Sequence, residues 1–213
     1  MAFNFKYVLL TVIVLCFASS ALAAEVIQLP APQTSGGAGI FDMLSNRASA
    51  PGASFPSGDV SHEELSTLLW AATGLNRPER GWTVPMAMGR APYVRVYVTG
   101  EEGTFRYDWQ TNSLIRTSDR DARSEISGQG FVANSSYVLI FVTDGDAIAG
   151  FGDRGEGWGA VAVGAMTQNV YLAAEALGIG ARYLANLRPE VVREICGLSP
   201  LDFPHAILPI GKR

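Results

Sequence analysis

Histidine and cysteine are nearly missing from this chain, and with them most of the side-chain chemistry that proteins carry out directly. Among 213 residues there are two of each. His62 and His205 fall in different predicted elements, with no acid or cysteine at ligand spacing, so a zinc site or a serine triad has almost nothing to be built from. Cys16 lies in an N-terminal apolar run, which leaves Cys196 alone, and one cysteine cannot close an internal disulfide. Beside Val191, Val192 and Ile195 it reads as a small buried residue. Positive charge is also scarce: 16 Lys and Arg against 20 Asp and Glu give −4, and loss of Lys6, the only charge in residues 1–24, makes that −5. Such a balance is not built for nucleic acid.

A long apolar run is missing too. Tyr7 to Phe17 falls short of the roughly 20 residues a spanning helix needs. With Lys6 before it and Ala21-Leu22-Ala23 after it, the run fits a secretory leader with a small-x-small cleavage site. Residues 1–23 are therefore read as a signal peptide, and the mature protein as periplasmic or secreted, with no stable membrane span. Residues 24–40 form an extended Pro/Gly-rich arm, and 41–213 form one domain.

What is present is patterned. Phe41 to Asn46 reads as a short helix, and Asn46-Arg47-Ala48-Ser49 then leads into a loop, Pro51 to Asp59. An arginine and a hydroxyl two residues apart at a loop mouth suit a phosphate, although Arg-x-Ser is a common tripeptide. Ser61-His62-Glu63-Glu64 is a capping box opening a helix over Glu63 to Thr73. Asn76 to Arg90 reads as a loop, and Tyr93–Thr99, Gly103–Tyr107 and Leu114–Thr117 as an antiparallel meander. Asp121 to Ser127 is predicted as a short polar helix, and Tyr137 to Val142 as a strand buried on both faces. Asp144 to Gly159 is predicted as a flexible loop. Its Gly150-Phe151-Gly152-Asp153-Arg154-Gly155 spells a dinucleotide fingerprint, but the preceding strand ends at Val142, too early for one.

Gly164 to Leu187 organises the rest. Met166, Val170, Tyr171, Ala174 and Leu177 recur at helical spacing, Gly178 stops the helix, and Ala181 to Leu187 is predicted as a short inner strand. Pro189 to Cys196 reads as a helix and His205 to Ile210 as an apolar strand, ahead of the terminal cations Lys212 and Arg213.

EVIQLPAP, Asn46-Arg47-Ala48-Ser49, EELSTLLWAATGLNRP (residues 63–78), Val84-Pro85-Met86-Ala87-Met88, Gln168-Asn169-Val170-Tyr171-Leu172 and Ala176-Leu177-Gly178 together resemble the nitroreductase family. The resemblance implies an α+β fold, a mostly antiparallel central sheet flanked by helices, and a homodimer with flavin mononucleotide (FMN) at its interface. The flavin carries the chemistry, so no protein side chain is assigned a catalytic role. Matched position by position, Arg47 and Ser49 take the family's phosphate- and ribityl-holding positions, and Lys212 or Arg213 its C-terminal basic contact. Two departures stand out. Ala50-Pro51-Gly52-Ala53-Ser54-Phe55 carries no second cation. Pro85-Met86-Ala87-Met88-Gly89-Arg90-Ala91 replaces Pro-Ser-x-x-Asn-x-Gln, so that Met86, Gly89 and Ala91 stand where polar contacts are usual and Arg90 is the one charge added. The implied function is an exported FMN-dependent oxidoreductase. The alternative is a flavin-free protein of the same fold that acts as a binding or structural module. By the same resemblance the alanine-rich helix forms the dimer spine, and Arg182 to Leu187 offers backbone amides to the flavin edge.

Overall fold

The structure, a computed structural model, describes residues 24–77 and 81–213. The leader predicted over residues 1–23 lies outside the described residues.

A strand with an unbroken apolar run, here Val138 to Val142, must be covered on both faces, and the fold is arranged around one. β5 (Tyr137–Thr143) sends Leu139 and Phe141 into one core and Val138, Ile140 and Val142 into another. The sheet has seven strands in the order β1-β4-β3-β2-β5-β7-β6, every neighbouring pair antiparallel. β2 (Val94–Gly100), β3 (Gly103–Asp108) and β4 (Ser113–Ser118) form the expected meander. β1 (Val26–Gln28), from the N-terminal arm, adds to its edge. β7 (Phe203–Lys212) runs between β5 and the short β6 (Ile179–Ala181).

One face of the sheet is covered by α2 (His62–Thr73) and α4 (Gly155–Ala176), which pack Leu65, Leu68, Met166 and Val170 against Val96, Val98 and Phe141. The other is covered by α5 (Pro189–Cys196), whose Val192 and Ile195 meet Tyr97, Ile140 and Ile207. Cys196 is buried there, and burial, eased by the charge of Arg95, pushes its thiol far above the ordinary range. The same layer holds Arg95 between Asp202 and Asp144.

The capping box forms as read: Ser61 Oγ accepts from the Glu64 amide at 3.3 Å, and Glu64 accepts from the Ser61 amide at 2.9 Å. Between α1 (Ile40–Asn46) and α2 the chain makes a 3₁₀ turn at Gly52–Ser54 and one β-bridge, Gly58 to Lys212.

Three expectations are corrected. α4 begins at Gly155, nine residues before the predicted start, and the rest of the predicted flexible loop is the single-turn α3 (Gly145–Ile148) and a 3₁₀ turn over Ala149–Arg154. Two of the glycines there serve close packing: a Cβ on Gly155 would stand 2.8 Å from Ile148 Cδ1, and one on Gly159 2.0 Å from Thr143 Oγ1, so the helix lies on β5 through a residue that looks like a helix breaker. Asp121 to Ser127 is a turn and not a helix, because Asp121 Oδ1 accepts from the Arg123 amide at 3.1 Å and competes with the helical pattern. The strand predicted over Ala181–Leu187 stops at Ala181 and resumes only as a bridge between Leu184 and Ile207. Arg182 N donates to Pro209 O at 3.2 Å, but Pro209 has no N–H to return the bond.

The capping box makes an acid-sensitive hinge between sheet and helices. Burial disfavours the Glu64 carboxylate, but hydrogen bonds from Lys212 and Ser61 outweigh it and hold its pKa below the ordinary 4.5. A carboxylate with a lowered folded pKa stabilises above 4.5, and that contribution is lost as pH falls through the lowered value. Glu64→Gln is expected to cost about 1 kcal/mol near neutrality, with the gap in Tm from wild type closing below pH 4.5. A gap independent of pH between 3 and 7, on the scale set by ordinary carboxylate titration, would contradict this.

Candidate functional site

α1 ends where the Arg47 amide donates to Met43 O at 2.9 Å, and the chain turns onto the sheet. Ala50 N then donates to Ala181 O, and Arg182 Nη1 to Ala50 O, each at 2.9 Å. The loop lands on a floor of glycines. A Cβ on Gly180 would lie 2.3 Å from Pro56 Cγ, and one on Gly211 would lie 1.9 Å from Pro56 O. Gly58 bridges to Lys212 through paired backbone hydrogen bonds. No other residue type allows this approach.

The turn so placed encloses a cavity of about 460 Å³ whose lining includes Asn46, Ser49, Ala50, Ser54, Pro56 and Arg213. Its wall is organised by Tyr171 of α4, which is 7 % exposed. The phenol oxygen accepts from the Tyr183 amide at 2.6 Å and bonds to Ser49 Oγ at 2.9 Å. The Arg47 guanidinium lies 5.1 Å over the centre of the same ring, a contact worth about 0.5–1 kcal/mol. Arg213 reaches the cavity from the end of β7, anchored by Glu175 at 2.7 Å. That hydrogen bond holds Glu175 below the usual carboxylate range and raises Arg213.

The structure thus brings Ser49 and Arg213 to one cavity, places Arg47 beside it on the Tyr171 ring, and does not bring Lys212 or Arg90 there. The Lys212 ammonium is hydrogen-bonded to Glu64 and, at 2.8 Å, to Leu177 O, closing the C-terminal end of α4. Arg90 donates to Ala147 O at 3.0 Å and stacks 4.7 Å over Phe151. It lines a second cavity of about 350 Å³, with Arg77, Trp82, Pro85, Met86 and Met88. The two cavities share no lining residue. Exposed Arg77, Arg90 and Met88 stand at the second; Met88 is 83 % exposed and held at φ 57°, a left-handed conformation that is costly for a methionine. Trp82 presses edge-on against Trp109 at 5.7 Å, and its buried indole N–H has no hydrogen-bond partner among the described residues. Among the described residues no group of three His, Cys, Asp or Glu side chains is arranged to hold a metal ion.

Two residues at the first cavity were missed by sequence reasoning. Tyr171 reads as core because it falls in the apolar stripe, and the only signal of another role is a hydroxyl where leucine would serve. Arg182 follows an apolar strand, and nothing in the sequence shows that it folds back on Ala50. The amide of Tyr183, expected to face a ligand, instead donates to the Tyr171 hydroxyl.

Comparison with known proteins gives consistent findings. The sequence profile described as the Nitroreductase family matches residues 54–212. A protein described as a nitroreductase from Methanocaldococcus jannaschii is 32 % identical over 183 residues, covering 81 % of this chain and 90 % of that protein. An NADPH-dependent oxidoreductase from Staphylococcus haemolyticus is 34 % identical over 122 residues, 48 % of each chain. A crystal structure described as a nitroreductase from Ralstonia eutropha superimposes with a TM-score of 0.81 at 31 % identity, covering 88 % of this chain and 89 % of that one.

The glycine floor gives a direct test of how the first cavity is held. Gly211→Ala must move Pro56 and is expected to cost about 1–3 kcal/mol by thermal or urea unfolding. Gly157→Ala, where an added Cβ meets nothing within 4 Å, is expected to be neutral or stabilising by up to about 1 kcal/mol. Equal effects at the two positions would show that the close approach is not what matters.

Proposed function

Because the chain belongs to the nitroreductase family, we propose that it is an exported FMN-dependent oxidoreductase. The observation that supports this reading is a cavity lined by Ser49 and Arg213, with the Arg47 guanidinium held on the ring of Tyr171, the residue hydrogen-bonded to Ser49. Two guanidinium groups and a hydroxyl are the donor set for a phosphate monoester, so the residues present fit that end of FMN. Arg182, bonded to Ala50 O, braces the turn in which no second cation follows the Arg-x-Ser.

The cleft at Pro85–Arg90 faces the flavin ring in this reading. Met86 and Met88 supply polarisable packing in place of the polar groups usual in the family, and the unpaired Trp82 N–H is a buried donor left for an acceptor on a bound ligand. When bound, the flavin supplies two-electron transfer. The protein's part is to hold the phosphate, exclude water from the cleft with its methionines, and place Arg90 near negative charge. Three of the relatives' names specify NADPH. For an exported protein that donor is not at hand, and a different small reductant is proposed.

A homodimer joins the two cavities across its interface. Support comes from α1, which buries none of its residues while presenting Ile40, Leu44 and Phe41, the last 82 % exposed. It packs beside α4, where Val161 is 66 % exposed. An apolar face of this kind on a water-soluble chain calls for a partner surface. Among the described residues no helix is long and apolar enough to cross a membrane.

Protein purified from its native compartment is expected to be yellow, with a flavin spectrum and release of FMN on denaturation. Arg47→Ala is expected to weaken FMN binding about 10- to 100-fold, the loss of one charged hydrogen-bond donor. Colourless protein that does not respond to FMN titration would remove this reading and leave the flavin-free module. For the assembly, Phe41→Asp is expected to convert a dimer to a monomer by analytical ultracentrifugation. A wild-type monomer, or a variant that remains dimeric, would contradict the α1 interface.

A further inference from the structure

We propose that Tyr171 is a positioning residue that sets the direction of the Ser49 hydroxyl proton, and so makes the Arg47–Ser49 turn a ready-made receptor for a phosphate monoester. The inference rests on the reading of the 460 Å³ cavity as an anion site.

A phenol has one proton to give and two lone pairs. The Tyr183 amide donates to the Tyr171 oxygen at 2.6 Å, occupying one lone pair and polarising the O–H. The remaining neighbour is Ser49 Oγ at 2.9 Å. A phenol is a better donor than an aliphatic alcohol, so the proton of Tyr171 goes to Ser49. Ser49 therefore accepts from within, and its own proton is left to be donated outward, into the cavity it lines. A serine fixed in this way meets an anionic oxygen without first reorienting. The same ring holds the Arg47 guanidinium on its face. One side chain thus orders both the hydroxyl and the cation, at 7 % exposure and without lining the cavity itself.

The chain of donors begins in the broken β6–β7 ladder. The Tyr183 N–H is available because Tyr183 falls between Arg182 and Leu184, whose amides donate to Pro209 O and Ile207 O, so its own N–H points away from β7 at the outer edge of the sheet. Backbone, phenol, serine and ligand then form one line of hydrogen bonds running from the sheet to the cavity.

The test compares FMN with riboflavin, which lacks the phosphate, on folded variants. Tyr171→Phe keeps the ring under Arg47 and removes only the hydroxyl. It is expected to weaken FMN about 3- to 10-fold and to leave riboflavin affinity unchanged. In a Ser49→Ala background the same change is expected to have little further effect, since the two act as one unit. Equal losses for FMN and riboflavin would mean a merely structural role and overturn the proposal, as would an unchanged FMN affinity or additive effects of the two substitutions. If wild-type protein binds no flavin, the FMN reading fails by itself, and phenyl phosphate becomes the probe. A Tyr171→Phe loss for phenyl phosphate then upholds the anion receptor, and no binding by wild type overturns it. Should Tyr171→Phe not fold, Ser49→Ala alone must still separate FMN from riboflavin for the proposal to stand.

Discussion

A strand with no wet face needs a partner on each edge and a layer on each side, and β5 imposes all four requirements at once. Its edges are taken by β2 and β7, so the sheet grows outward in both directions from it. Its faces are taken by α2 and α4 on one side and by α5 on the other. Every functional feature hangs on this frame. The turn from Arg47 to Pro56 rests on β6 and β7, and the Pro85–Arg90 loop leads directly into β2.

The charges near the sites are divided between structure and binding. Lys212 and Arg213 are neighbours in sequence, yet only Arg213 lines the first cavity, because side chains alternate along a strand. Lys212 falls on the side of the α2 cap and the last carbonyls of α4, where a cation is favoured by the helix dipole. Arg90 is likewise partly committed, to Ala147 and Phe151. That leaves Arg213 in the first cavity and Arg47 on the ring of Tyr171 beside Ser49.

Features that depend on local pattern were legible in the sequence. The capping box, the β2–β3–β4 meander, the doubly buried β5, and the glycine stop at Gly178, which adopts φ 67°, follow from spacing and residue type. The features that depend on what lies across the fold were not. Glycines at 155, 157 and 159 look like a loop until Thr143 is seen beneath one of them. The expected strand after Ala181 fails because of Pro209, nearly thirty residues later. The Arg-x-Ser motif is visible in the sequence, but the tyrosine that orders it is 122 residues from the serine and sits in an apolar stripe. Nor does the sequence distinguish Lys212 from Arg213, since only strand register separates their surroundings.

β7 is the hub of the second half of the sheet, lying between β5 and β6 and carrying Lys212 and Arg213 at its end. It is also the last strand in the sequence. Until residues 203–212 are present, β5 has an open, wholly apolar edge, β6 has no partner, and neither the floor under Pro56 nor the clamp on Glu64 exists. Closure of the sheet and assembly of the phosphate-facing turn are thus one late event along the chain, governed by contacts of long sequence separation. A nascent chain keeps this side of the sheet open until residues 203–212 are available, and acquires its fold and its candidate site together.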